Sequence, residues 1–351
     1  MIVVGIETTC DETSVAVLKF HEKKRALNGL PYAEELSLIV LTQDFHSVYG
    51  GVVPELASRS HLENLPRVFR LALEKAGVEL KDIDLVAVAN EPGLPGSLIV
   101  GVSFAKGLAQ SLSKKIIAVN HVEAHIISPL IEHNIPFPFA SLVVSGGHTS
   151  LYLVEGVGKY KLVLKTRDDS VGEVFDKVAK FFRFGYPGGP IIDALSRGAE
   201  QFFSFPEVES EDFSFSGIKT FSVRVPEHWF GPFPLPEFFA SFQKKLVDEI
   251  LFKSFDVLKK FGDGSLKIRH FALTGGVAKN SYIRQVVKNL ESENNIEFIF
   301  PSQRYCTDNG TMIAFLGGLR HILFGETSTL EFDMRPTGYL KAKGGISEQN
   351  T

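Results

Sequence analysis

One short pattern occurs twice in this chain of 351 residues, and it limits the possible folds more than any other feature. Residues 5–18 read GIETTCDETSVAVL and residues 143–154 read VVSGGHTSLYLV. Each is an apolar run, a polar turn and a second run rich in β-branched residues, the signature of a strand, a tight connection and a strand. Each also opens a series of strands that gives way to helices. Two such series predict duplicated α/β lobes facing each other across a cleft, with the hairpin turns pointing inward. The length suits two lobes of roughly 100–200 residues each. We expect an N-terminal lobe over 1–130, completed by a C-terminal helix at about 308–325, and a second lobe over 131–307.

The rest of the chain fills in that scheme. Strands are expected at Ile2–Ile6, Val15–Phe20, Leu36–Leu41, Ile116–Val119, Ser141–Val144, Leu151–Val154, Phe271–Leu273 and Phe298–Phe300. Residues 84–89 and about 160–165 add two more. Helical periodicity covers 54–77, about 98–112, 172–183, 281–290 and 308–324. The charged stretch 21–35, with Asn28-Gly29 and Pro31, reads as a surface loop or hairpin tip. No GxxxxGK[ST] is present and no GxGxxG lies between strand and helix, which excludes a P-loop and leaves a Rossmann site unsupported.

Composition removes several function classes. With 44% hydrophobic and 22% charged residues the chain is neither disordered nor fibrous. No apolar run approaches the roughly 20 residues of a membrane helix, and the start lacks the basic n-region of a signal peptide. Cys10 and Cys306 are too few for a disulfide framework and fit a reducing cytoplasm. The net charge of −4 argues against a polyanion held by the whole surface. Nucleic acid would need a partner or a local patch. Lys23-Lys24-Arg25, Lys114-Lys115, Lys177/Lys180/Arg183 and Lys244-Lys245 are such clusters, each also readable as a solvated face.

Several constellations carry chemistry. In His121-Val122-Glu123-Ala124-His125, a helix would set both imidazoles on one face as two ligands for one metal. Glu123 would face away, unlike the base of HExxH. Spacing alone favours a surface or helix-end coincidence, and the position right after a strand, at a helix start facing the presumed cleft, makes the ligand pair evenly matched with it. Asp308 is the best third ligand, although by spacing it reads more simply as the N-cap of the next helix. Asp11 and Glu12, in the dense turn Thr8–Ser14, suit proton transfer or metal binding. Ser145-Gly146-Gly147-His148-Thr149 and Thr274-Gly275-Gly276 are phosphate-type turns. Gly188-Gly189-Pro190 leads into a helix that Asp193 caps, unless Asp193 binds a ribose hydroxyl. Asp176 lies on an amphipathic helix whose polar face is the plain alternative for it. Phe213 and Phe215 are expected to pack beneath the cleft rather than stack on bases.

The motifs GIETTCDETS, HSVYGGVVPELASRSH, HVEAH, VVSGGHTS, GEVFDKVAK, YPGGPIID, FSFSGIKT, LTGGVAKN and YCTDNGTMIA follow the order seen in the TsaD family, and the chain resembles that family from about residue 3 to residue 315. The resemblance implies the two-lobed fold of actin, sugar kinases and heat-shock ATPases, with RNase H-like lobes. It implies transfer of a threonylcarbamoyl group from threonylcarbamoyl-AMP to the exocyclic amine of the adenosine 3′ of the anticodon, in tRNAs reading codons that begin with A, with release of AMP. It implies one divalent ion, iron before zinc, on His121, His125 and Asp308. Val143, Val144, Ser145, Gly146, Gly147, Asp176, Gly189, Asp193 and Asn280 would bind the adenylate, in a site that also accepts ATP, ADP or AMP. Asp11 or Glu12 would serve catalysis. The implied partners are tRNA, a degenerate TsaB-like paralogue and a small TsaE-like ATPase, with no membrane. The chain departs from the family at Glu91, where Gly usually precedes Pro-Gly-Leu, at Lys279, and in the longer 21–35 segment. A metallopeptidase, or a small-molecule kinase or chaperone of the same fold, is the rival reading.

Overall fold

Two five-stranded sheets repeat one connectivity. The computed structural model describes residues 1–26, 28–260, 268–294 and 296–337. In the first sheet β1 (Ile2–Glu7), β2 (Glu12–Arg25) and β3 (Pro31–Thr42) form an antiparallel meander. Then α1 (His46–Tyr49) and α2 (Pro54–Ala76) lead to β4 (Leu85–Glu91), which runs parallel to β1. After α3 (Pro95–Ser111), β5 (Lys115–Asn120) pairs in parallel with β4 and runs directly into α4 (His121–Ile127). The order is β3-β2-β1-β4-β5.

The second sheet repeats this. An antiparallel meander of β6 (Phe139–Val144), β7 (Thr149–Gly156) and β8 (Lys159–Lys165) is followed by α5 (Val171–Phe181), α6 (Gly188–Leu195), α7 (Ser216–Arg224) and α8 (Leu235–Lys260). Strand β9 (His270–Thr274) pairs parallel to β6; after α9 (Ser281–Asn294), β10 (Glu297–Ile299) pairs parallel to β9. The chain then forms α10 (Gln303–Cys306) and α11 (Gly310–Phe324). The order β10-β9-β6-β7-β8 is the first sheet's order read from its other edge. This is the two-lobed, actin-like α/β architecture with duplicated lobes.

Packing follows from buried strands. β1, β4 and β6 are buried along almost their whole length, which their Val, Ile, Leu and Ala content permits. One face of the first sheet packs on α2 and α3 through Val4, Ile6, Leu65, Phe69, Val86 and Val102. Its other face meets α11, which returns from the C-terminal half. That contact is very close: a Cβ on Gly5 would lie 2.2 Å from the Gly310 carbonyl oxygen. The second lobe is filled by phenylalanines, among them Phe175, Phe238, Phe239, Phe242, Phe255 and Phe271. Phe213 and Phe215 are fully buried in that cluster, so they pack rather than stack on bases.

Of the two expectations for 21–35, a surface loop or a hairpin tip, the structure shows the hairpin. β2 and β3 pair from Glu12↔Thr42 out to Arg25↔Pro31, so most of the segment is ladder. The loop alternative arises because charge on a solvated strand face looks like a loop in sequence. Side chains of residues 22 and 23 lie outside the described set, and with them Lys23 of the first basic cluster. Elsewhere the basic groups are partly neutralised: Lys177 pairs with Asp169 and Glu173, Lys244 with Asp248, and Lys245 with Glu207. Among the described residues no helix is long and apolar enough to cross a membrane.

Candidate functional site

Two hairpin turns and two helix starts converge. The β1–β2 register ends at Glu7↔Ser14 and the β6–β7 register at Val144↔Thr149, which frees the turns beyond them. Thr13 and Ser14 belong to the strand and are buried, so the first turn is shorter than the expected seven polar residues. Asn120 ends β5 and caps α4, its Oδ1 accepting from the Glu123 amide at 3.0 Å. The cap fixes where the helix starts, and therefore places His121 at its first position and His125 one turn later.

The two imidazoles sit edge to face, with ring centroids 4.7 Å apart. Both present Nε2 to one carboxylate oxygen. Asp308 Oδ1 lies 3.0 Å from His125 Nε2 and 3.5 Å from His121 Nε2. Both rings are buried, while the Asp308 side chain is 19% exposed. On the far side of His121, Nδ1 lies 2.9 Å from Glu7 Oε2. A carboxylate only accepts, so Nδ1 carries the proton in that bond. Glu7 Oε1 in turn accepts from the Thr9 amide at 2.6 Å.

The electrostatics are dominated by carboxylates. Burial depresses the pKa of His121, but Asp308 and Glu7 outweigh it and raise the value to about 9. Burial likewise opposes ionisation of Asp308, and the charges of His121 and His125 overcome it and hold that carboxyl well below its ordinary range. Burial, followed by the charges of Asp308 and Asp11, pushes Glu12 well above the ordinary range. His148, from the second turn, is pulled down to about 4 by burial and by His121 and His125. Burial also raises the hydroxyl of Tyr186, with Asp11 and Asp176 adding to it.

This donor set fits a metal ion. Three ligand atoms, one each from His121, His125 and Asp308, lie within 4.8 Å of one another. Ligands bound at about 2.0–2.2 Å to a common ion sit roughly 3–3.6 Å apart, which is the spacing of Nε2 and Oδ1 in this group. Glu7 holds the remaining nitrogen of His121, the usual outer partner of a ligating imidazole. Burial and the charges of Asp308 and Asp11 disfavour the ionised form of nearby Glu12, and a bound cation would relieve that penalty.

Asp308 therefore does not cap α11, contrary to the simpler reading of its position. Asn309 takes that role, its Oδ1 accepting from the Met312 amide at 3.0 Å, which leaves Asp308 free to face the histidines. Glu123 does face away, toward Tyr160 at 3.1 Å and Arg320 at 3.7 Å. A metallopeptidase base is thus missing from the expected position.

The other expected positions lie on the β6–β7 hairpin, α5, α6 and the start of α9. Val143 and Val144 are the buried end of β6. The Ser145 amide donates to the His148 carbonyl at 2.8 Å, closing the turn. Gly146 and Gly147 face open space, where a Cβ would meet nothing within 4 Å; the same holds for Gly189. Asp176 is half-buried rather than on a solvated face, and its Oδ1 accepts from the Gly188 amide at 2.7 Å, tying α5 to the start of α6. Asp193 is inside α6 and does not cap it. Its Oδ1 accepts from the Ser281 hydroxyl at 2.7 Å and the Ser281 amide at 3.2 Å, which joins α6 to α9. Asn280 caps α9 through Tyr282 and Ile283 and donates to Gln243 Oε1 at 2.7 Å. Sequence reasoning missed Glu7, Tyr186 and Gln243, and named His148 only as part of the second turn. Glu7 had a signal, a lone acid ending an apolar strand.

With this geometry established, similarity to known proteins is informative. A sequence model of the TsaD family, described as tRNA N6-adenosine threonylcarbamoyltransferase, matches residues 34–315. A protein of that name from Dictyoglomus turgidum is 44% identical over 325 residues, covering 90% of this chain and 92% of its own. Another from Thermodesulfovibrio yellowstonii is 44% identical over 347 residues, covering 95% and 98%. Among solved structures, HypF of T. kodakarensis superposes with a TM-score of 0.61 at 16% identity, over 92% of this chain and 48% of that one. That last likeness concerns the fold.

Proposed function

We propose the following mechanism for a chain that belongs to the TsaD family, the tRNA N6-adenosine threonylcarbamoyltransferases. The modification of tRNA is the family's reaction. The donor, the ion and the role of each residue are our inference. The observation that carries it is the convergence of His121, His125 and Asp308 at the mouth of the two hairpin turns.

Those three residues would hold one divalent ion, iron in preference to zinc, which when bound supplies a Lewis acid beside the reacting group. The donor would be threonylcarbamoyl-AMP. Its adenosine would lie against Asp176, Gly189, Asp193 and Asn280, and its phosphate against the 145–147 turn. Open space over Gly146 and Gly147 supports that placement, since a backbone without side chains allows close approach. The N6 amine of the tRNA adenosine forms a bond to the carbamoyl carbon as the bond from that carbon to the phosphate oxygen of AMP breaks. The electron pair leaves with AMP. The attacking amine loses one proton, and Asp11 would take it, with Glu12 beside it as the alternative acceptor. Glu7 keeps His121 in one tautomer throughout.

For partners we place tRNA as acceptor, with a degenerate TsaB-like paralogue and a small TsaE-like ATPase alongside. The modest, partly paired basic clusters support shared rather than solitary tRNA binding. The test is AMP release from purified protein given threonylcarbamoyl-AMP, with and without tRNA and the two partners. AMP release that requires tRNA supports the reading. Turnover of ATP with a small acceptor, unaffected by tRNA, would favour a kinase of this fold instead.

A further inference from the structure

A carboxylate outside the site grips the segment that delivers Asp308. Glu35 lies on β3, at the base of the hairpin that is longer than in a minimal family member, paired with Leu18 of β2. Its side chain is 14% exposed. It takes three donors from the other end of the chain. The Arg304 guanidinium is salt-bridged to Oε1. The Tyr305 hydroxyl donates to Oε2 at 2.8 Å and the Thr311 hydroxyl to the same oxygen at 2.6 Å. Arg304 also lies 4.6 Å over the Tyr305 ring, which stiffens the pair.

Asp308 sits midway between these contacts, three residues after Tyr305 and three before Thr311. Between them the Gly310 amide donates to the Ser14 hydroxyl of β2 at 2.9 Å, and two local bonds join Cys306 to the Pro301 carbonyl and Asn309 to the Thr307 carbonyl. Thus one carboxylate of the first sheet anchors both flanks of a connection whose central residue must meet His121 and His125, themselves on the first lobe. A shielded carboxylate needs its donors, and charge-assisted bonds are the strong kind.

We propose that Glu35 is a positioning residue for Asp308, setting the closeness of the His121–His125–Asp308 group through Tyr305 and Thr311. The inference rests on the proposal that this group binds a metal ion. It also gives the longer hairpin a purpose, since the hairpin braces the strand position from which Glu35 reaches α10 and α11.

The test uses full-length, metal-stripped protein titrated with Co2+ alone, followed by the visible d–d absorption. Wild type should bind with a defined band pattern, and His121→Ala should lose it. Glu35→Ala should weaken Co2+ binding about 10–100-fold, the range for outer residues of metal sites, with altered bands. Glu35→Gln keeps an acceptor for Tyr305 and Thr311 and should recover most of the affinity. Tyr305→Phe removes one donor only and should give a smaller loss, which keeps the test open if Glu35→Ala does not fold. Wild-type affinity and bands in Glu35→Ala, or in Tyr305→Phe where Glu35→Ala does not fold, would overturn the proposal. Unchanged Co2+ binding in His121→Ala would instead overturn the underlying site reading, and this inference with it.

Discussion

Glu7 Oε2 lies 2.9 Å from Nδ1 of His121, with both groups buried, although 114 residues separate them in sequence. This contact decides which nitrogen of His121 faces Asp308. Replacing Glu7 by Gln keeps the volume but removes the charge that holds the Nδ1 proton. Glu7→Gln should weaken metal binding about 10–100-fold. Competition against a chelating dye would measure it, and an unchanged affinity would show that Glu7 does not orient the ring.

Neighbouring residues at the start of α11 should separate cleanly. Asn309→Ala removes the cap on the Met312 amide and should lower folding stability by about 1 kcal/mol. Asp308→Ala leaves that cap intact and should abolish metal binding and transfer. Urea unfolding and metal analysis of the two variants check this. Equal loss of metal in both would mean that the helix start, not the Asp308 carboxylate, is what matters.

Asp176 predicts a pH dependence. Burial raises its pKa to about 6, partly offset by the bond from Gly188, with Asp11 and Glu173 adding to the rise. A carboxyl with a raised folded pKa binds more protons folded than unfolded, so stability falls as pH rises through the window. Between about pH 4 and pH 6, this group should withdraw roughly 1–3 kcal/mol. Asp176→Asn should flatten that part of the profile. Unfolding free energies measured across the window for both proteins provide the comparison, and parallel profiles would show that Asp176 is not the source.

The fold is largely legible in the sequence because the repeated strand–turn–strand unit is a local signal and each strand period is short. Gly5–Leu18 and Val143–Val154 open sheets of the same order. At 21–35 the sequence leaves a loop and a hairpin tip open, because charge on a solvated strand looks like charge in a loop. At the site, the spacing of His121 and His125 is readable, whereas their convergence with Asp308 depends on α11 returning to the first sheet. Local pattern even favours Asp308 as a cap. What displaces it is Asn309, a better-placed acceptor one residue later. Glu7 and His148 act on groups more than 20 residues away, beyond the reach of any periodicity.

The central claim is that transfer depends on the ion-binding group His121, His125 and Asp308. The direct measurement is nucleoside mass spectrometry of tRNA after incubation with threonylcarbamoyl-AMP, the partner subunits and either wild type or a folded His121→Ala/His125→Ala double variant. The account predicts threonylcarbamoyladenosine from wild type and none from the variant, whose metal content should be nil. Full product from the metal-free variant would contradict it.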